Sequence, residues 1–185
     1  DDHISVITGD GASNAFIYEF GLNRFDRILV DAPCSSERHL LQNESEMLKW
    51  GAGRSKINAK RQVALLLNAL RLTKPGGLIV YSTCSLSPYE NDDVVEKVII
   101  KTKKISTGRK GGSETKHVRT VSLTMSDIRV GGDKTKYGYH LLPDVSDSWG
   151  PIYVCVLEVY EGPPDFEECI SGESDSENSS FSEDT

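Results

Sequence analysis

The sequence predicts an α/β fold with a mainly parallel sheet and a terminal antiparallel hairpin. Two apolar runs, Ile28-Leu29-Val30 and Leu78-Ile79-Val80-Tyr81, are bounded by turn residues and rich in β-branched side chains, as buried strands are. The segment 57–72 and the residues after Pro88 repeat apolar side chains at helical spacing. Two more apolar runs lie close together further on, giving the order strand, strand, helix, strand, helix, hairpin.

Taken in order, Ile4-Ser5-Val6-Ile7-Thr8 alternates weakly and ends at Gly9-Asp10-Gly11, which reads as a strand running into a turn. Asp10 is either a turn aspartate bonded to its own backbone or a site residue. The run at 28–30 ends in Asp31-Ala32-Pro33-Cys34-Ser35, a turn that carries a cysteine. The polar passage from Ser35 to Ser55 holds Arg38, His39, Lys49, Trp50 and Arg54 and reads as a loop with some helix across a crevice. Trp50 would stack on a nucleobase or pin the loop, and His39 reads as structural.

Ala64, Leu65, Leu67, Ala69, Leu70 and Leu72 give the helix over 57–72 a broad apolar face, and Lys74-Pro75-Gly76-Gly77 stops it. The strand that follows delivers Cys84 into a polar turn. Ser87, Pro88 and Glu90 then match a capping box that opens a second helix, with Val94, Val95, Val98 and Ile99 as its buried stripe. Tyr139-His140-Leu141-Leu142-Pro143 and 152–159 supply the hairpin strands, with Cys155 as a packing residue in mid-strand.

Hydrophobic residues make up 37% of the chain, below a typical globular share. Much of the shortfall lies in residues 165–185, an acidic, serine-rich tail expected to be disordered. It holds eight of the 28 acidic residues and none of the 21 basic ones, so the remainder is near neutral at 20 against 21. Residues 1–164 form the folded portion. Between Lys97 and Lys136 eleven Lys/Arg face three acids, which reads either as a surface for phosphate groups or as a solvated loop; Arg109 to Ser113 reads as a surface insertion. The four cysteines, at 34, 84, 155 and 169, form no Cys-x-x-Cys pair and no zinc spacing, which predicts reduced thiols and no metal. No apolar run is long enough to cross a bilayer.

Strands of a parallel sheet present their carboxyl ends to the ligand crevice, so Cys34 and Cys84 are expected side by side at that edge, with Asp31 near them. If the electrophile is a pyrimidine, a thiolate that adds to carbon 6 of cytosine makes carbon 5 nucleophilic, and a carboxyl group beside ring nitrogen 3 stabilises the adduct. Cys84 and Asp31 suit those two roles, and a second thiol, Cys34, suits release of the methylated base.

Asp31-Ala32-Pro33-Cys34-Ser35, followed fifty residues later by Tyr81-Ser82-Thr83-Cys84-Ser85-Leu86 with Lys74-Pro75-Gly76-Gly77 before and Glu90-Asn91 after, resembles the Sun-domain family of S-adenosylmethionine-dependent RNA 5-methylcytosine methyltransferases. Trp149-Gly150-Pro151-Ile152-Tyr153-Val154 resembles that family's last hairpin, most closely in its mitochondrial rRNA- and tRNA-modifying branch. The resemblance spans roughly Ile4 to Leu157. It implies a Rossmann-like class I methyltransferase fold, with Cys84 as nucleophile, Cys34 as release cysteine, Asp31 beside methyl donor and base, and Asp10 near the donor's adenine. It further implies S-adenosylmethionine as cofactor, rRNA or tRNA as partner, a protein partner for targeting, no membrane, and an intracellular location that is mitochondrial, nucleolar or cytoplasmic.

The family's glycine-rich donor loop, its ribose-binding acid and its catalytic lysine have no counterpart in these residues. On the resemblance, two strands between those at Ile4 and Ile28 are also missing, and the fragment alone is expected to be inactive. Two rivals stand beside this reading: an RNA-binding scaffold of the same fold without activity, and a DNA cytosine-5 methyltransferase whose Pro-Cys motif would make Cys34 the attacker.

Overall fold

The computed structural model describes residues 3–40, 45, 52–108, 116–123, 132–144 and 150–162. In chain order the elements are α1 (Ala15–Phe20), β1 (Phe25–Asp31), α2 (Glu37–Leu40), α3 (Ala52–Leu72), β2 (Thr73–Thr83), a 3-10 turn (Pro88–Glu90), α4 (Asp92–Gly108), β3 (Lys116–Thr120), β4 (Asp133–Lys134), β5 (Tyr139–Leu141) and β6 (Ile152–Glu161). Trp50, Trp149, Lys49, Cys169, the Arg109–Ser113 insertion and the acidic tail lie outside the described residues.

The sheet runs β1-β2-β6-β5-β4, with β3 also on β6. β1 and β2 are parallel, and Val30 faces Tyr81 as Asp31 faces Ser82. β2 meets β6 antiparallel, and β6 then divides its far edge between β5 near its start and β3 near its end. The expected terminal hairpin is β5 against β6. The fold is α/β, but its described sheet is mixed rather than mainly parallel, because the parallel ladder is confined to β1 and β2.

The reason lies at the start of the chain. Ile4 to Thr8, expected as a strand, is extended coil without ladder bonds. Ile4 and Val6 stay 75% and 90% exposed, since no described strand offers them an edge. β1 is therefore the outer strand of the sheet, and its Leu29 is 67% exposed.

Along β2, Ile79, Tyr81 and Thr83 are buried while Leu78, Val80 and Ser82 are partly exposed. This alternation marks a strand covered on one face, not on both as its apolar run predicts. The covering layer is α3 and α4. From α3 come Ala59, Val63, Leu66, Ala69 and Leu70, and from α4 Val94, Val95 and Val98, all packed on Ile79, Tyr81, Tyr153, Cys155, Leu157 and Val159. Cys155 is fully buried there, as a packing residue.

Two polar devices fix the helices. Lys116 on β3 donates to the carbonyls of Leu70, Arg71 and Thr73 at 3.1, 3.2 and 2.5 Å, which caps the carboxyl end of α3 with a cation. One residue of the basic segment thus serves the fold. At the start of α4 the Asp92 carboxylate accepts from the Tyr153 hydroxyl at 2.7 Å and from Thr135, Lys136 and Tyr137 at 2.9 to 3.2 Å.

The capping box expected from Ser87 and Glu90 does not form. Ser87 makes no side-chain cap, the residues after it make a 3-10 turn, and α4 starts at Asp92. The Asn91 carbonyl receives the first helical amides, those of Val94 and Val95. Glu90 is occupied elsewhere.

Leu66 is wholly buried between α3 and the sheet, so Leu66→Ala should cost about 2–5 kcal/mol through lost transfer energy and a residual cavity. Ile57→Ala, at a 70% exposed position on the same helix, should cost less than about 0.5 kcal/mol. Denaturant unfolding of the full-length protein checks both.

Candidate active site

β1 and β2 end side by side, and one more ladder bond, Ala32 N–H to the Ser82 carbonyl at 2.9 Å, carries their pairing past the last strand residue. The turns that follow therefore leave the sheet together. Cys34 and Cys84 meet with their sulfurs 2.9 Å apart, and the Cys84 amide donates to the Cys34 sulfur at 3.3 Å. Both are free thiols, half-buried at the sheet edge. The two cysteines read from the sequence are thus brought together.

Their protons are unequally held. The hydrogen bond from Cys34 lowers the pKa of Cys84 to about 6, against an opposing push from burial, and the Ser36 hydroxyl helps. The same bond, reinforced by burial, drives Cys34 far above the ordinary thiol range. Near neutral pH the pair is a Cys84 thiolate accepting from a Cys34 thiol, and only the thiolate is a nucleophile.

What holds the two turns is Glu90, which is wholly buried. Its carboxyl group accepts from the Ser35 amide at 3.0 Å, from the Gln62 side chain of α3 at 2.9 Å and from the Ser85 hydroxyl at 3.4 Å, and it shares the Ser35 hydroxyl with the buried Glu37. Every one of these donors is neutral. Ser35 follows Cys34 and Ser85 follows Cys84, so one carboxylate joins the turn of each thiol. Gln62 also donates to the Pro33 carbonyl at 2.9 Å.

Asn91 completes the frame, accepting from the Thr83 hydroxyl at 2.6 Å and donating to the Ser85 carbonyl at 2.8 Å. Its amide also reaches Nε2 of His140 at 2.9 Å. Burial lowers the pKa of His140, which suits an imidazole that accepts there. The Tyr81 hydroxyl donates to the Glu90 carbonyl at 2.5 Å. Glu90, Asn91, Gln62 and Ser35 were not recognised as site residues from the sequence. The signal available was the Glu90-Asn91 pair just after the second cysteine strand, which local helix-start chemistry accounted for instead.

Asp31 closes β1 with an exposed side chain, and the Ser82 hydroxyl donates to its carboxylate at 3.1 Å. Asp10 lies apart. Its carboxylate accepts from the Ala12 amide at 3.0 Å and from Arg61 at 2.9 Å, so it is a turn aspartate paired to α3 by a solvent-exposed bridge worth little to stability. None of its described hydrogen bonds leads to Asp31 or to either cysteine. His39 is exposed on α2. Among the described residues no three His, Cys, Asp or Glu side chains form a metal-holding group.

Comparison with known proteins agrees with this geometry. Residues 2–133 match the family model described as 16S rRNA methyltransferase RsmB/F. The chain belongs to the RsmB/F methyltransferase family. A mouse mitochondrial tRNA (cytosine(34)-C(5))-methyltransferase is 34% identical over 135 residues, covering 72% of this chain and 37% of that protein. The 5-cytosine rRNA methyltransferase nsun-4 of Caenorhabditis elegans is 33% identical over 135 residues, 72% of this chain and 29% of its own length. The chain therefore spans about a third of the curated relatives it matches.

Two solved structures share the fold. The methyltransferase homologue from Pyrococcus horikoshii superposes with TM-score 0.53 at 25% identity, over 78% of this chain and 42% of its own. NSun6 from the same organism, solved with SFG, gives TM-score 0.58 at 21% identity, over 83% and 34%. The fold is accordingly the Rossmann-like one that the resemblance implied.

Alkylation of the full-length protein by iodoacetamide should label Cys84 with a midpoint near pH 6, rising with pH as the thiolate forms, while Cys34 stays unlabelled through neutral pH. Peptide mapping reads both rates, and equal labelling with a shared midpoint in the ordinary thiol range would contradict the proton assignment. Glu90→Ala should destabilise the full-length protein by about 1–3 kcal/mol for each buried donor left without an acceptor, measured by denaturant unfolding.

Proposed function

We propose that the full-length protein transfers a methyl group from S-adenosylmethionine to carbon 5 of cytosine in rRNA or tRNA through a covalent bond to Cys84. The observation that carries this reading is the thiol pair itself: two free cysteines with sulfurs 2.9 Å apart at the carboxyl edge of the sheet, where ligands bind in such folds. Membership of an RNA methyltransferase family and the cytosine-5 activity named for the relatives support it.

The Cys84 thiolate forms a carbon–sulfur bond to carbon 6 of the base, and the displaced electron pair moves toward carbon 5 and the ring. On this reading Asp31, at the end of the neighbouring strand, shares a proton with ring nitrogen 3, which spreads the developing charge. The donor supplies an electrophilic methyl carbon to carbon 5. Asp31 lies beside the methyl donor on this reading, and Asp10, which also accepts from Arg61, lies near the donor's adenine. Methyl transfer would leave the donor as its neutral thioether; water then takes the proton from carbon 5, and the carbon–sulfur bond breaks, returning its electron pair to Cys84. The Cys34 thiol, which stabilises the Cys84 thiolate before attack, stabilises it again as the leaving group.

The unequal hold on the two thiol protons favours Cys84 over Cys34 as attacker, against the DNA-methyltransferase assignment. The open edge of β1 and the exposed Leu29 support a sheet that continues on that side in the full-length protein. On this reading the isolated 185 residues bind the target without turning it over. A mitochondrial location is the one we favour, on the likeness to the mouse mitochondrial protein.

In the full-length protein Cys84→Ala should abolish methylation of cytosine, and Cys34→Ala should accumulate an RNA–protein adduct that survives denaturing electrophoresis. An adduct in Cys84→Ala and none in Cys34→Ala would reverse the roles. Turnover by the isolated residues would overturn the need for a longer chain.

A further inference from the structure

A second feature lies on the helical layer. α3 and α4 diverge beside the 3-10 turn to leave an open cleft of about 420 Å³. Its floor is apolar, made by the buried Ala59 and Val63. Its rim carries Lys56 and Lys60 from α3 and Lys97 and Lys101 from α4, all exposed, against the single carboxylate of Asp93. Tyr89 stands at one end, 43% exposed, with the Lys56 ammonium 5.5 Å from its ring centre.

The placement follows from helical spacing. Lys56, Lys60 and Val63 fall on one stripe of α3, and Asp93, Lys97 and Lys101 recur every fourth residue on α4, about 6 Å apart along the axis. None of the four lysines is tied up in the way Lys116 and Lys136 are, whose ammonium groups bind the end of α3 and Glu96 respectively. One end of the cleft is tied by the chain to the frame of the thiol site. Tyr89 is flanked by Glu90, which holds the Cys34 and Cys84 turns, and the cleft runs from there down the helices.

We infer that this cleft takes the RNA strand that flanks the target cytosine, the lysines meeting successive phosphates and Tyr89 stacking on a base next to the target. An exposed ring among lysines along a groove is how single strands are held without sequence readout. The inference rests on the RNA reading given above and adds to it the path of the substrate.

The test is a titration of the full-length protein with a short single-stranded RNA across a salt series. Replacing Lys60, Lys97 and Lys101 together by Gln should lower the slope of log affinity against log salt by about 2, at roughly 0.7 per lost phosphate contact. The wild-type protein gives an independent reading, since RNA should protect these three lysines and Lys56 from acylation, mapped by mass spectrometry.

An unchanged slope in a variant that still methylates RNA would sink the cleft alone. A lowered slope in a protein whose Cys84 never bonds to RNA would support the cleft and sink the thiol reading alone. Protection by a synthetic peptide of residues 165–185, with none by RNA, would assign the cleft to the acidic segment and overturn the inference.

Discussion

The candidate site depends on one buried carboxylate. Glu90 has no exposed surface, and leaving a carboxylate away from water is costly unless every lone pair is used. The protein meets that cost with neutral donors from three separate places: the turn after β1, the middle of α3 and the turn after β2. Because these hydrogen bonds are directional, the turns that carry Cys34 and Cys84 are held relative to each other and to the helical layer. The parallel ladder of β1 and β2 brings the strand ends together. Glu90 sets what happens beyond them.

The thiol pair follows from that framing. Two cysteines pressed into contact cannot both ionise, so the proton that remains stabilises the thiolate it faces and is itself held more tightly. Burial acts against both ionisations, and the hydrogen bond decides which sulfur carries the charge. The hydroxyl of Ser36 adds to this bias, while the Cys84 amide, which donates to the Cys34 sulfur, works against it. On the proposed reading the partner thiol takes the place of a separate base in activating Cys84.

The legible parts of this protein were those written in local pattern. The runs at 28–30 and 78–81, the amphipathic stretch of α3 and the hairpin of β5 and β6 show strand or helix periodicity, and the motif around each cysteine placed both thiols at one edge. Other features depend on tertiary context. Ile4 to Thr8 alternates like a strand, yet a strand needs an edge to pair with and finds none among the described residues. Glu90 fits a capping box three residues after Ser87, and a buried network fifty residues away in sequence overrides that local preference. Lys116 looks like one more charge in a basic run and is in fact the cap of α3. Asp10 forms the turn its local sequence suggests, with its carboxylate also paired to Arg61.

The central claim is that Cys84 attacks and Cys34 assists. RNA carrying 5-fluorocytidine offers the most direct measurement, because fluorine at carbon 5 blocks the proton loss that precedes release and leaves the base bonded to the attacking sulfur. Incubated with the full-length protein and methyl donor, then digested and mapped by mass spectrometry, it should place a methylated fluorocytosine on the peptide containing Cys84. The same mass on the Cys34 peptide, or no covalent product from a protein that methylates ordinary RNA, would contradict the account.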